Sequence, residues 1–332
     1  MTDPPVPTPP PIPTAIYGMF KTQALYVAAK LGIADSVADG PLSADELAHE
    51  CGAHPRSLRR LMRYLVGEGF FERTADGRFS LNASADLLRE DAEGSYLSMA
   101  LFYGSPAVWR GWGHLLEAVQ QGESGFAAAH GEGFFAFIST HPDDAEVANA
   151  FMTSMVARRP PLHLHDFSGA TTVVDVGGGE GATIASVLQA HAHLRGILLD
   201  MPEVASAARR TLAVAGVEDR CQVIAGSIFD DVPSGGDVYV LSNILHDWDD
   251  EDATRILSAC RAAMQPGHQL LVSEAIVSDD NEPSLAKTVD MQMMAIAGGV
   301  QRTLTELQTL FGQTGFGAGR TVPPGLLLTV AL

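Results

Sequence analysis

Cysteine is scarce in this chain: Cys51, Cys221 and Cys260 are the only three in 332 residues. They lie far apart without a C-x-x-C spacing, so neither a disulfide framework nor a zinc cluster is suggested, and a reducing cytoplasm fits. Basic residues are also few, 21 against 40 acidic, for a net charge of −19. So anionic a surface repels phosphate backbones, which argues against nucleic acid as a partner. No apolar run approaches the ~20 residues that cross a bilayer, and the N-terminus lacks a basic cluster followed by an apolar stretch, so neither export nor a membrane span is expected. What is present is 46% apolar and 18% charged residues, enough for a large soluble core. The length suggests two domains.

Residues 1–13 are dense in proline and read as an extended leader. Ile16, Phe20, Ala24, Val27 and Leu31 then recur at helical spacing, with Gly32 as a stop. Ser43 and Glu46 stand at capping-box spacing before a short helix from Ala44 to Glu50. A further helix over His54 to Gly67 leads into a hairpin around Asp76-Gly77. Helix, helix, hairpin is the outline of a winged helix. Arg56, Arg59, Arg60 and Arg63 invite a DNA-reading interpretation, but the net charge opposes it and the same architecture serves as a dimerisation platform. Residues 93–160 read as a helical connector rich in aromatics, broken at Pro160-Pro161.

Beyond the connector, strand-like runs alternate with helical ones. Candidates at 172–176, 196–200, 221–225, 238–241 and 269–274 predict a doubly wound, mostly parallel sheet. Two late strands near 317–322 and 326–331 follow a helix around 303–311 and can add an antiparallel edge.

The strongest motif is Val173-Val174-Asp175-Val176-Gly177-Gly178-Gly179-Glu180-Gly181. A strand running into a glycine turn that opens a helix lets backbone approach a nucleotide-type ligand where a side chain would collide. Asp200 ends the next strand, from which a carboxylate can accept ribose hydroxyls. Gly177, Gly179 and Ala182 also satisfy a dinucleotide fingerprint. Asp175 nonetheless sits where it can meet an ammonium, directly or through water, and no basic group stands beside the loop to balance a diphosphate. S-adenosylmethionine suits those charges better than NAD. A second constellation, Leu241-Ser242-Asn243-Ile244-Leu245-His246-Asp247-Trp248, lies at the carboxyl end of the fourth strand of the sheet. A histidine there can remove a proton near neutral pH.

Together with Ser273-Glu274-Ala275 and Gly298-Gly299-Val300-Gln301-Arg302-Thr303, these motifs resemble the S-adenosylmethionine-dependent O-methyltransferases of plant phenolics and bacterial aromatic polyketides. The resemblance covers nearly the whole chain past the leader. It implies a Rossmann-like class I methyltransferase with a seven-stranded, mostly parallel sheet. It also implies an N-terminal all-helical winged-helix dimerisation domain over 14–92, a connector over 93–160 that contributes to the acceptor pocket, and a cosubstrate domain over 161–332. By the same resemblance His246 is the general base and Glu274 its brace. Asp175, Gly177, Gly179, Asp200, Met201, Ser227, Ile228, Phe229 and Ser242 would contact the cosubstrate, and Met155, Asn243, Asp247, Met291 and Met294 the acceptor. A homodimer, an aromatic hydroxylated acceptor, S-adenosyl-L-homocysteine as product and no metal are expected.

Several positions depart from the family pattern. Ser227 replaces an adenine-region acid, and Ser242 a lysine of plant members for which Arg158 or Arg159 is a positional substitute. Gln301 replaces a glutamate, the second brace of the base, and so keeps a hydrogen bond while losing a charge. The acidic run from Asp247 to Asp252 reads as a helix N-terminus rather than a metal site. Two rival readings remain: a non-methylating tailoring enzyme (hydroxylation, decarboxylation or cyclisation) on the same scaffold, and a non-enzymatic ligand-sensing regulator.

Overall fold

The computed structural model describes residues 11–156, 158, 161–322 and 326–332. They form two compact units, one ending at Trp109 and the other beginning at Arg110. The leader up to residue 10, and Pro160 of the expected break, lie outside the described residues.

In the first unit a helix spans Pro11–Lys30, so the last residues expected in an extended leader are already helical. Proline is tolerated there because first-turn amides have no intrahelical acceptor. The helix Ala44–Glu50 starts with the capping box that its sequence predicts. The amide of Glu46 donates to Ser43 Oγ at 3.3 Å, and that of Ser43 to Glu46 Oε2 at 2.7 Å. Along Pro55–Gly67 the residues Leu58, Met62 and Leu65 are buried, whereas Arg56, Arg59, Arg60 and Arg63 are exposed. Strands β1 (Glu72–Arg73) and β2 (Phe79–Ser80) pair as the short hairpin wing, the one sheet in this unit. Arg78 ties the wing to the capping box through Glu46, at 2.8 Å. A further helix, Leu97–Gly104, packs on the first. The approach is close enough that a Cβ on Gly104 would stand 2.1 Å from that of Tyr26.

The second unit is built on β3 (Thr172–Val176), β4 (Arg195–Asp200), β5 (Cys221–Ala225), β6 (Val238–Ser242), β7 (Gln269–Ser273), β8 (Arg320–Val322) and β9 (Leu326–Val330). Their order is β5-β4-β3-β6-β7-β9-β8, parallel from β5 through β7 and antiparallel at β9 and β8. Side chains alternate between faces. Val173, Leu198, Val240 and Leu271 join the helices Ala182–Ala190 and Pro202–Val214 in one layer. Val174, Leu199, Tyr239 and Val272 join Asp250–Ala263 and Leu304–Gln313 in the other. With both faces covered, the central strands read as continuous apolar runs. Chain order reverses between β3 and β6, the switch point at which open sheets of this kind bind ligands beyond their carboxyl ends.

All three cysteines are unpaired, and burial pushes the thiols of Cys221 and Cys260 up to about 12. No helix among the described residues is long and apolar enough to cross a membrane. His165, just before β3, is buried with its ring edge-on to Phe167 at 5.1 Å. Burial lowers its pKa, aided by Arg320 and His191 and opposed by Asp166 and Gln269. Its folded pKa thus lies below its unfolded value of ~6.5, so stability present above that value is lost as pH falls through the folded one. We expect the thermal unfolding midpoint to drop between about pH 7.5 and 5.5, less steeply in His165→Asn. Equal slopes in the two proteins would exclude His165 as the cause.

Candidate active site

The glycine turn leaves β3 with left-handed backbone at Gly177, Gly179 and Gly181, φ 71°, 57° and 83°. The amides of Gly177 and Gly178 both donate to the carbonyl of Leu199, at 2.8 and 3.3 Å. Asp200 completes the tie between the loops after β3 and β4, since Oδ2 accepts from the Gly179 amide at 2.6 Å and Oδ1 from Met201 at 2.7 Å. Burial pushes this carboxyl up, against the downward pull of those two amides. A carboxylate has about four lone-pair sites, so acceptor capacity remains for a pair of hydroxyls. Asp175 is only 1% exposed, and a Cβ on Gly178 would stand 2.8 Å from its Oδ2. Its carboxyl group lies beneath the loop, against Gly178.

The turn after β5 compensates in part for the missing acid at position 227. Ser227 Oγ donates to Asp230 Oδ2 at 3.3 Å and accepts from the Phe229 amide at 3.1 Å. The Phe229 ring meets Trp248 edge-on at 4.9 Å, and the Arg255 guanidinium lies 4.5 Å from its centroid. Ile228 and Ile244 converge on Gly177, where a Cβ would lie 3.8 Å from Ile228 Cγ2 and 2.5 Å from Ile244 Cδ1. Only the absence of a side chain lets Ile244 pack this closely on the turn.

Beyond Ser242, the last residue of β6, the chain turns at Asn243, whose φ of 55° is the one positive value outside glycine among the described residues. Its amide donates to the Ser273 carbonyl at 2.9 Å. His246 follows in the turn Leu245–Asp247 and is 8% exposed. Nδ1 of its ring lies 3.3 Å from Glu274 Oε2 and 2.8 Å from the Gln301 side-chain amide, and Nε2 lies 3.6 Å from Asp247 Oδ1. The other oxygen of Glu274 accepts the amides of Ile244 and Leu245 at 3.0 and 2.9 Å. The acidic run beyond is a helix start, with Asp249 accepting from the Asp252 amide at 2.9 Å.

On the acceptor side, Met291 belongs to the helix Leu285–Gln292 and Met294 to the π turn Met293–Ala297, which packs on the turn bearing His246. Met155 is the penultimate residue of the helix Pro142–Val156, and Thr153 of that helix donates to Glu180 of the glycine turn at 3.1 Å. Arg158 donates to the Ser154 carbonyl at 2.8 Å, at the end of the same helix. Arg159, the other positional substitute for the lysine, lies outside the described residues.

Two features escaped the sequence reading. Arg302, 3% exposed, donates from Nη1 to the Leu245 carbonyl at 2.7 Å and from Nη2 to that of Trp248 at 2.9 Å, and it also pairs with Asp250. Gly299 crosses the histidine turn so closely that a Cβ would lie 2.0 Å from the His246 carbonyl. Composition carries no signal for either; the contacts span more than 50 residues of chain.

Comparisons with known proteins show the family. The description "O-methyltransferase domain" matches residues 112–317, and "O-methyltransferase dimerisation domain" matches 14–91. The chain is 40% identical to the phenazine O-methyltransferase of Lysobacter antibioticus, with 95% of this chain and 93% of that protein covered. It is 33% identical to the phenazine-1-carboxylate N-methyltransferase of Pseudomonas aeruginosa, covering 92% and 91%. A crystal structure of an O-methyltransferase from neocarzinostatin biosynthesis, in complex with S-adenosylmethionine and 2-hydroxy-5-methyl naphthoic acid, is similar with a TM-score of 0.83. Identity is 32%, over 94% of this chain and 96% of that one.

The turn geometry ranks two substitutions. An alanine at Gly177 or Gly179 meets the left-handed penalty of about 1–2 kcal/mol, but only at Gly177 does the new Cβ also collide. Gly177→Ala is therefore expected to weaken S-adenosylhomocysteine binding, measured by calorimetry, more than Gly179→Ala. The reverse order would refute the assignment of Gly177 as the point of closest approach.

Proposed function

We propose for this chain, which belongs to the O-methyltransferase family, that it methylates a hydroxyl of a planar aromatic small molecule, with His246 as general base and S-adenosylmethionine as methyl donor. The side-chain-free left-handed turn at Gly177 and Gly179, the carboxylate of Asp200 and the ring of Phe229 fit an adenosyl ligand. When bound, that cosubstrate would supply an electrophilic sulfonium methyl, to which the acceptor oxygen would bond in line as the carbon–sulfur bond breaks and S-adenosyl-L-homocysteine leaves as the neutral thioether. Of the contacts proposed for it, Gly179, Met201, Ser227, Ile228 and Ser242 line the same carboxyl-end loops. Met155, Asn243, Asp247, Met291 and Met294 are the proposed acceptor contacts.

The observation that carries the reading is the setting of His246. A carboxylate accepts but does not donate, so Glu274 favours the tautomer protonated at Nδ1 and leaves Nε2 to take the acceptor proton. The Gln301 amide then turns its oxygen to the ring, since its two ends are interchangeable by a half-turn. A phenol of pKa ~10 is barely ionised at neutral pH, so a base at this position is what methylation of oxygen requires. An aromatic ring nitrogen, by contrast, attacks with a lone pair it already holds and needs no base. The neutral Gln301 leaves Glu274 as the carboxylate at Nδ1, a weaker support for an imidazolium than two acids would be.

The exposed face of Pro11–Lys30 carries Ile12, Ile16, Tyr17, Met19 and Phe20, each about half exposed or more. With the dimerisation match over 14–91, this face supports a homodimer built through the N-terminal region, working in the cytoplasm on a small-molecule acceptor.

Two experiments test the reading. Incubation with labelled cosubstrate and a panel of phenolic acceptors is expected to give methyl ethers, and His246→Ala to lower kcat by about 10²–10⁴-fold. A ring-nitrogen acceptor should show no such loss, and unimpaired ether formation in the variant would remove His246 as base. By light scattering, the wild-type chain is expected to have twice the monomer mass and Phe20→Glu to shift it toward the monomer; an unshifted mass would place the dimer contact elsewhere.

A further inference from the structure

We propose that Arg302 is a positioning residue for the base, holding the peptide that carries His246 from the side opposite Glu274. The proposal rests on the reading of His246 as general base. A guanidinium is among the costliest groups to bury and persists only when its donors are met. Here they are met by one short segment: Nη1 donates to Leu245 O at 2.7 Å, Nη2 to Trp248 O at 2.9 Å, and Nε to Asp250 Oδ1 at 2.9 Å. The first two carbonyls bracket His246 in the chain. The Leu245 amide is at the same time held by Glu274 Oε1 at 2.9 Å. Leu245 is therefore gripped at its N–H by an anion and at its C=O by a cation, and the residue following it is the base.

Neither grip leaves His246 free to follow a tilt of its turn. The adjoining Gln301 reaches the ring at Nδ1, and Gly299 lies against the His246 carbonyl. Residues 299–302 thus form a saddle over the turn: one side chain orients the imidazole and the next fixes the backbone beneath it. The planar fork of arginine can span two carbonyls and a carboxylate at once, which the point charge of lysine cannot. A displacement of about 1 Å in a reacting group can cost ~10²-fold in rate, so the clamp bears on turnover more than on ligand binding.

The test is a double-mutant cycle in the full-length protein with a phenolic acceptor. Arg302→Lys keeps the charge and loses the fork. It is expected to lower kcat by roughly ten- to a hundredfold, with calorimetric affinity for S-adenosylhomocysteine changed by less than about threefold. Asp250→Ala removes the exposed partner and should give a smaller loss of the same kind. If Arg302 acts through His246, Arg302→Lys combined with His246→Ala is no slower than His246→Ala alone. Losses that multiply would show that Arg302 supports the protein in general and would overturn the proposal, as would unchanged kcat in both Arg302→Lys and Asp250→Ala. Should Arg302→Lys fail to bind S-adenosylhomocysteine, the same cycle is run with Asp250→Ala, with the same two outcomes. Full activity in His246→Ala would instead remove the base assignment itself, and the positioning role with it.

Discussion

The carboxylate of Glu274 is the contact on which the rest of the site depends. Its side chain is 2% exposed, and it stands just beyond β7 with one oxygen on the amides of Ile244 and Leu245 and the other toward His246 Nδ1. Two backbone amides that would otherwise be buried without partners are satisfied by the same carboxyl group that reaches toward the His246 ring. Because β6 and β7 are hydrogen-bonded neighbours, with Ser242 opposite Ser273, the sheet register brings this carboxylate beneath the histidine turn. A slip of one residue would carry the side chain to the other face of the sheet.

Arg302 supplies the opposing cation on the turn, and Asp250 takes up the remainder of the guanidinium. The ring of His246 therefore lies between groups whose positions are set by the backbone rather than by solvent. Gln301 contributes geometry without charge. At the turn after β5, Ser227 holds Asp230 at hydrogen-bonding distance.

Much of this was legible in the sequence because local rules govern it. Apolar runs bounded by turns placed the strands to within a few residues, the Ser43–Glu46 spacing announced a helix start, and the glycine turn announced a backbone approach. Other features were not, and each has a physical reason. Pro11 to Pro13 counted as extended chain because proline density resembles a leader, yet first-turn positions accept proline. The left-handed Asn243 looked ordinary because asparagine also lives in loops and caps. Arg302 stood in the sequence only as part of the Gly298–Thr303 motif, without a role of its own, because only the fold could supply its carbonyl partners.

The sequence by itself determined the class of sheet and the glycine turn after β3, because periodicity and glycine placement act locally. The tertiary structure alone decided what grips the base. Glu274, Gln301 and Arg302 lie 28 to 56 residues beyond the turn they hold, and contacts at that separation are set by strand order and register rather than by neighbouring residues. Whether a charged side chain is a solvated surface group or a buried clamp depends on which carbonyls the fold brings to it.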